Sequence, residues 1–290
     1  MSDQRKIILF PNADRDVGYR LTTKVRDMLA KCGRSTCVCV NSDDYPSLGD
    51  ISPDFEPAWL DDELSQAEMI ITFGGDGTIL KAARAAADAG VPILGINLGN
   101  KGFMAELEAD DIEFIYEAGK GNYKIETRMM LDVEVQREEE VIYRDFALND
   151  VVVRGDHKVI DLMLFGDGQG ISHFSGDGTV IATPTGSTAY SMSAGGPIVE
   201  EAAHNIILTP ICAHMLQAKS FVLESDRRVS VLLGNRQNNP VYMSVDGGEQ
   251  QRILSGDKIN VYKSERCTRL VRLSNRSFYK KVSEKLGEKP

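Results

Sequence analysis

No apolar run in this chain approaches the roughly 20 residues that a membrane-crossing helix needs, so no membrane-spanning helix is expected. The opening residues, Met1-Ser2-Asp3-Gln4-Arg5-Lys6, lead into an apolar strand without the pattern of a secretory leader. An excess of positive charge is also missing. The formal net charge is -10, which argues against a general nucleic-acid binder, since that function needs a basic face to neutralise phosphates. The five cysteines (Cys32, Cys37, Cys39, Cys212, Cys267) contain no CxxC pair, and their number is odd. Neither a disulfide framework nor a zinc site is expected, and a reducing cytoplasm fits best. The four histidines, His157, His173, His204 and His214, lack metal-ligand spacing. What remains is a chain with 42% hydrophobic and 26% charged residues. That is enough apolar material for a sizeable core without covalent staples.

The first part of the chain alternates short apolar strands with helices. Strands are expected at Lys6–Phe10, Thr36–Val40, Ala67–Phe73 and Val91–Ile96. Helices are expected at Tyr19–Lys31, Ile79–Ala89 and Asp110–Ala118, the first with Leu21, Val25, Leu29 and Ala30 near one face. This alternation implies parallel strands joined by crossover helices. The pattern changes near Arg128. Leu131, Val133 and Val135 alternate with Asp132, Glu134 and Gln136, the period of a strand with one wet face. Further strands are read at 151–153, 159–165, 229–233, 241–245 and 259–262, with turns at Arg137–Glu140 and Gly166-Asp167-Gly168 and a helical insertion at Thr188–Ala194. The expected division is an α/β domain over residues 1–125, a β-rich domain over 126–272, and a tail over 273–290 that packs back on the first domain as a short helix at Tyr279–Leu286.

Two strands of the first part end in glycine loops, Gly74–Thr78 and Gly95–Gly102. Ligands of open α/β sheets bind at that edge. In Gly74-Gly75-Asp76-Gly77-Thr78, glycine lets the backbone approach phosphate oxygens, and the helix that follows offers free N–H groups. The loop lacks the lysine of a Walker A motif. Asp76 can orient or deprotonate a hydroxyl or bind a divalent cation, or it can simply close a turn. Farther on, Thr179–Thr183 reads as a strand leading into Pro184-Thr185-Gly186-Ser187-Thr188, small hydroxyl residues that suit a helix cap, with Tyr190 able to stack on a base.

In order and spacing, GGDGT (74–78), GINLGNKGF (95–103), ALNDVV (147–152) and GDGTVIATPTGSTAYSMSAGGPIV (176–199) resemble the NAD kinase family, from about residue 69 to 199 and more weakly to the end. The resemblance implies a Rossmann-like N-terminal domain with a parallel sheet, a β-sandwich-like C-terminal domain, and NAD bound between them. It implies that Asp76 accepts the proton of the adenosine 2′-hydroxyl, and that Asp76 and Gly77 border the dinucleotide. Asn149, Asp150 and Asp177, and Thr188, Ala189, Tyr190, Ser191, Met192 and Ser193, match NAD-contacting positions; Asp161 and Ser175 fall at others. Asp246 matches an acidic residue that reaches the site, often from a neighbouring subunit, and Gly248 follows it. A homo-oligomer (dimer or tetramer), a divalent cation (Mg2+ above all) and ATP or polyphosphate as donor are implied with it. Lys101 in the GNKGF run, Ala213-His214-Met215 and Gly248 depart from the family pattern and bear on ligand selectivity. Lipid kinases of the diacylglycerol type share GGDGT, and a non-catalytic dinucleotide sensor could keep the same polar residues; these are the alternative readings.

Overall fold

The computed structural model describes residues 5–41, 56–99, 102–213, 218–234, 239–274 and 277–287. Asn100, Lys101, His214 and Met215, which the sequence reading singled out, lie outside them. Two compact units are present: Met1–Thr127 with Thr268–Pro290, and Arg128–Cys267.

The first unit is built on β1 (Lys6–Pro11), α1 (Arg20–Lys31), β2 (Thr36–Val40), β3 (Ala58–Trp59), α2 (Leu60–Glu63), β4 (Ala67–Gly74), α3 (Asp76–Ala86), β5 (Ile93–Asn97), β6 (Leu107–Glu108) and α4 (Ile115–Gly119). Its sheet runs β5-β4-β1-β2-β3 with every pairing parallel, and β6 also pairs with β5. Strands covered on both faces read as near-continuous apolar runs, as the middles of KIILFP and AEMIITFG do here. Ile7, Leu9, Met69 and Ile71 share a core with Val25, Met28 and Leu29 of α1. Met28, not the expected Ala30, completes the buried stripe, because Ala30 is exposed. Asp16 starts this helix: its buried carboxylate accepts from the N–H groups of Leu21 and Thr22 and from the Thr22 hydroxyl, satisfying donors that lack a helical partner.

The second unit contains β7 (Lys124–Arg137) from Arg128 onward, β8 (Glu140–Ala147), β9 (Asp150–Gly155), β10 (Ile160–Gly166), β11 (Gln169–Gly176), β12 (Gly178–Ala182), α5 (Tyr190–Ser193), β13 (Asn205–Ile211), β14 (Phe221–Glu224), β15 (Val229–Leu233), β16 (Val241–Val245), β17 (Gln251–Ile253) and the first part of β18 (Lys258–Arg272). One sheet takes the order β11-β10-β15-β18, with β7 on β18 and β8 on β7; the other runs β14-β13-β12-β9-β16-β17. The alternating positions Leu131, Val133 and Val135 meet Val151, Val153, Ile181, Leu208 and Met243 in a single core, the packing of a sandwich. The β10–β11 turn uses Asp167 and Gly168 at φ 50 and 80, the positive values a two-residue hairpin requires. β18 continues past Cys267, and its Leu270 pairs in parallel with Ile93 of β5 in the first unit. The helix expected near the end forms as α6 (Phe278–Leu286) in that same unit.

Candidate active site

α3 begins at Asp76, three residues before the expected start, with Gly75 as its N-cap. Asp76 is therefore the first residue of a helix and not a loop residue, and a carboxylate there is favoured by the helix dipole. Its two oxygens accept from the N–H groups of Phe103 (2.8 Å) and Met104 (3.1 Å). Gly102 fits against this carboxylate because a Cβ there would lie 2.3 Å from Asp76 Oδ1. The same segment is fastened from behind. Arg272 Nη1 donates to the Met104 carbonyl (3.1 Å) and Lys281 Nζ to that of Phe103 (3.3 Å). The fully buried Glu106 accepts from the N–H groups of Leu273 and Ser274. The base of the motif is thus held by tertiary contacts far along the chain.

The glycines of the loop divide into two kinds. A Cβ on Gly74 would lie 2.2 Å from Thr78 Oγ1, so close packing requires glycine there. Gly75 and Gly77 have nothing within 4 Å on that side. They border a cavity of about 340 Å³ lined by Asn12, Arg15, Gly75, Gly77, Thr78, Lys81 and Gly99. Arg15 and Lys81 bring positive charge to the N-terminal end of α3, an arrangement suited to an anion.

In the second unit, Asn149, Asp150 and Asp246 come together. Asp246 Oδ2 accepts from the Leu148 N–H (2.8 Å), and Oδ1 from those of Asn149 (2.7 Å) and Asp150 (3.0 Å). Asp246 holds a left-handed φ of 49 in a tight turn and clamps the start of β9. On the other side, the Thr183 N–H donates to the Asn149 carbonyl. The Thr183 hydroxyl donates to Leu148 O (2.6 Å) and accepts from the Gly186 N–H (3.0 Å). A Cβ on Gly186 would lie 2.0 Å from Asn149 O, so the PTG turn sits directly on this strand. Beneath it, the buried Arg128 donates to Thr185 Oγ1 (3.2 Å) and pairs with Glu201 (2.9 Å).

The family model described as ATP-NAD kinase N-terminal domain matches residues 14–118, and the one described as ATP-NAD kinase C-terminal domain matches residues 148–273. The chain belongs to the ATP-NAD kinase family. Curated NAD kinases are similar over nearly full length. That of Acetivibrio thermocellus is 36% identical over 98% of this chain and 98% of its own. That of Natranaerobius thermophilus is 38% identical over 97% of this chain and 98% of its own. Two solved structures share the fold at 24% identity. A yeast NADH kinase complexed with NADH has a TM-score of 0.84, covering 99% of this chain and 88% of that one. An NAD kinase from Archaeoglobus fulgidus in complex with ATP has a TM-score of 0.73, covering 98% of this chain and all of that one. The expected fold class, family and kinase class are borne out, and the match of both domain models sets the lipid-kinase alternative aside.

The other residues expected at the site are placed in several different ways. Asp177 and the exposed Tyr190 line a second cavity of about 250 Å³, together with Arg154, Asp156, His157 and Lys158. Ala189, Met192 and Ser193 sit in and beside α5, partly or fully accessible, and the Thr188 hydroxyl donates to Thr185 O. Ser191 turns inward instead: it is fully buried and its hydroxyl is hydrogen-bonded to Thr209 (2.9 Å). Asp161 and Ser175 face each other across β10 and β11, and the Ser175 hydroxyl donates to the Asp161 carboxylate. They lie in the opposite sheet from Asn149, Asp150 and Asp246. Gly248 is exposed, and its N–H closes the turn on Val245 O. Sequence reasoning missed Arg15, Lys81, Arg128, Arg154 and Lys158. Arg15 had a signal, since it follows a strand C-terminus on the same sheet edge as the GGDGT loop. Arg128 had none, because nothing local marks an arginine for burial.

Burial, and then the charge of Asp246, push the Asp150 carboxyl up to about 7 from its ordinary 3.8. The folded state therefore keeps a proton between about pH 4 and pH 7 that the unfolded chain has released. The stability this group contributes is full below that window and lost as pH rises through about 7. Asp150→Asn removes the titration. We expect it to flatten the stability-pH curve and to raise unfolding free energy at pH 8 by up to about 4 kcal/mol relative to its effect at pH 4, read from urea unfolding across pH. A pH-independent difference between the two proteins would show that Asp150 ionises normally.

Proposed function

We propose that this chain transfers the terminal phosphoryl group of ATP, or of polyphosphate, to the 2′-hydroxyl of the adenosine ribose of NAD, giving NADP. The observation that carries the reading is Asp76: a carboxylate at the head of α3, fixed by the N–H groups of Phe103 and Met104, between two glycines open to a cavity lined by Arg15 and Lys81. Each oxygen keeps a further lone pair after taking one N–H bond, so Asp76 can accept the hydroxyl proton as a general base while the backbone holds it in place. Arg15 and Lys81 are assigned to the donor phosphates. Asn149, Asp150, Asp161, Ser175, Asp177, Thr188, Ala189, Tyr190, Met192, Ser193 and Gly248 are assigned to NAD. Ser191 and Asp246 act differently, the first by anchoring α5 to Thr209 and the second by clamping Leu148–Asp150.

Among the described residues no three His, Cys, Asp or Glu side chains gather into a metal cage. The divalent cation is assigned to the substrate, entering as the metal chelate of the donor. A chain of net charge -10 gains from that neutralisation when two anionic substrates meet. No described helix is long and apolar enough to cross a membrane. A cytoplasmic location and a homo-oligomer, dimer or tetramer, belong to the same reading. The test is the purified chain with NAD, ATP or polyphosphate, and Mg2+, with NADP read through an NADP-specific dehydrogenase. NADP is expected to form, and to stop forming in excess chelator. No NADP from either donor would overturn the assignment, and undiminished turnover in chelator would remove the metal from it.

A further inference from the structure

β2 reads Thr36-Cys37-Val38-Cys39-Val40, and alternate residues of a strand share a face. Val38 belongs to the core with Ile7 and Leu9, which places both cysteines on the other face of the sheet. Cys39 is fully buried and Cys37 half-buried, and both are free thiols. The Cys39 thiol donates a hydrogen bond to Cys37 Sγ across 3.8 Å. The charged groups facing the pair are Lys6 of β1 and Glu63 of α2, which form an ion pair with each other at 3.1 Å.

This arrangement makes the two sulfurs unequal. The hydrogen bond from Cys39 holds the Cys37 thiol at about 7, with Lys6 adding to the lowering while burial and Glu63 oppose it. The same bond, with burial, pushes Cys39 well above its ordinary range. Cys37 is the more readily ionised of the two sulfurs, and Cys39 the more firmly held as a thiol. Thiolate character and partial exposure are what select a cysteine for oxidation. Cys212 offers the contrast within the same chain: it is exposed, but a hydrogen bond to Asp177 raises its thiol.

We propose that Cys37 and Cys39 form a modification site for hydroperoxides, with Cys37 the attacking sulfur and Cys39 the resolving one. The Cys37 thiolate attacks the O–O bond; a sulfur–oxygen bond forms, the O–O bond breaks, and the leaving alkoxide or hydroxide takes up a proton. Cys37 is then a sulfenic acid, oxidised by two electrons while the peroxide is reduced by two. Cys39 next attacks that sulfur, the sulfur–oxygen bond breaks, and its own proton leaves with the oxygen as water. The net change is two thiols and one hydroperoxide giving a disulfide, an alcohol or water, and a further water. Alternate Cα atoms of a strand lie roughly 6.6 Å apart, at the long end of what a disulfide spans, so closure draws β2 in. β2 pairs with β1 at Ile8↔Cys37, and β1 leads into Asn12 and Arg15 at the first cavity.

The experiment treats the reduced full-length chain with sub-stoichiometric hydrogen peroxide at pH 7 and maps the products by peptide mass spectrometry. The expected result is a peptide carrying Cys37 and Cys39 that has lost two hydrogens, appearing while Cys212 is still reduced. In Cys39→Ser, Cys37 is expected to stop at a sulfenic acid that a cyclic diketone traps. Alkylation by iodoacetamide at pH 7 is expected to be about tenfold or more faster at Cys37 than at Cys212. Oxidation of Cys212 ahead of Cys37, which exposure alone would favour, overturns the proposal in the unmutated protein. So does a Cys37 that stays reduced.

Discussion

Replacing Asp76 with asparagine is expected to lower turnover by ~10²–10⁴, the range a positioned general base contributes, or roughly 3–5 kcal/mol of barrier. Asparagine keeps the shape of the side chain but cannot take a proton. The structure adds a second consequence. Asp76 accepts from two N–H groups, those of Phe103 and Met104. The amide oxygen of asparagine can satisfy one; its NH2 group meets the other donor to donor. A buried donor left unpaired costs about 1–3 kcal/mol, so a lower thermal midpoint is expected beside the kinetic loss. Asp76→Ala separates the two roles. If Asp76 only fastens the Gly102–Met104 segment, alanine, which frees both N–H groups, is far worse than asparagine. If it accepts the proton, both variants fall to a common floor in turnover and differ mainly in stability. An asparagine variant within tenfold of the parent removes Asp76 from the chemistry. NAD affinity, measured by calorimetry, should survive in either case.

The largest stability effect is expected at Arg128, a residue distant in sequence from any glycine motif. Its side chain is fully buried, pairs with Glu201 at 2.9 Å and donates to Thr185 at 3.2 Å. The Glu201 side chain is itself only 14% exposed. Arg128→Met fills much of the same volume but leaves that carboxylate without its partner. Breaking a buried pair from one side costs ~3–5 kcal/mol, and that loss is expected in urea unfolding. Arg128→Met combined with Glu201→Gln should recover much of it, because the double variant buries no lone charge. A loss below about 1 kcal/mol for the single variant would mean that water or rearrangement solvates Glu201. Thr185 precedes the glycine that packs on Asn149, so the single variant should also weaken NAD binding.

How much of this was legible beforehand follows from the range of the forces involved. The parallel sheet was legible because strands covered on both faces leave largely apolar runs, as in Lys6–Pro11 and Ala67–Gly74. The sandwich was legible because a half-covered strand alternates, as Leu131, Val133 and Val135 do. The GGDGT loop was legible as a strand-to-helix junction, although the start of α3 was placed three residues late: glycines weaken the helical signal, while Gly75 serves as the cap.

The sequence by itself determined the strand–helix alternation of the first part, the change to strands near Arg128 and the family, because local periodicity and short motifs are written in consecutive positions. Only the tertiary structure decided what those residues touch. It turned Asp246 toward the N–H groups of Leu148, Asn149 and Asp150. It turned Ser191 inward to Thr209, and joined Asp161 to Ser175. It buried Arg128 under Thr185 and raised the proton affinity of Asp150. Each of these depends on pairs of residues 14 to 98 positions apart in the chain. Burial and carboxylate–N–H geometry across such separations are set by how sheets and turns pack, and no local pattern of residue types encodes them.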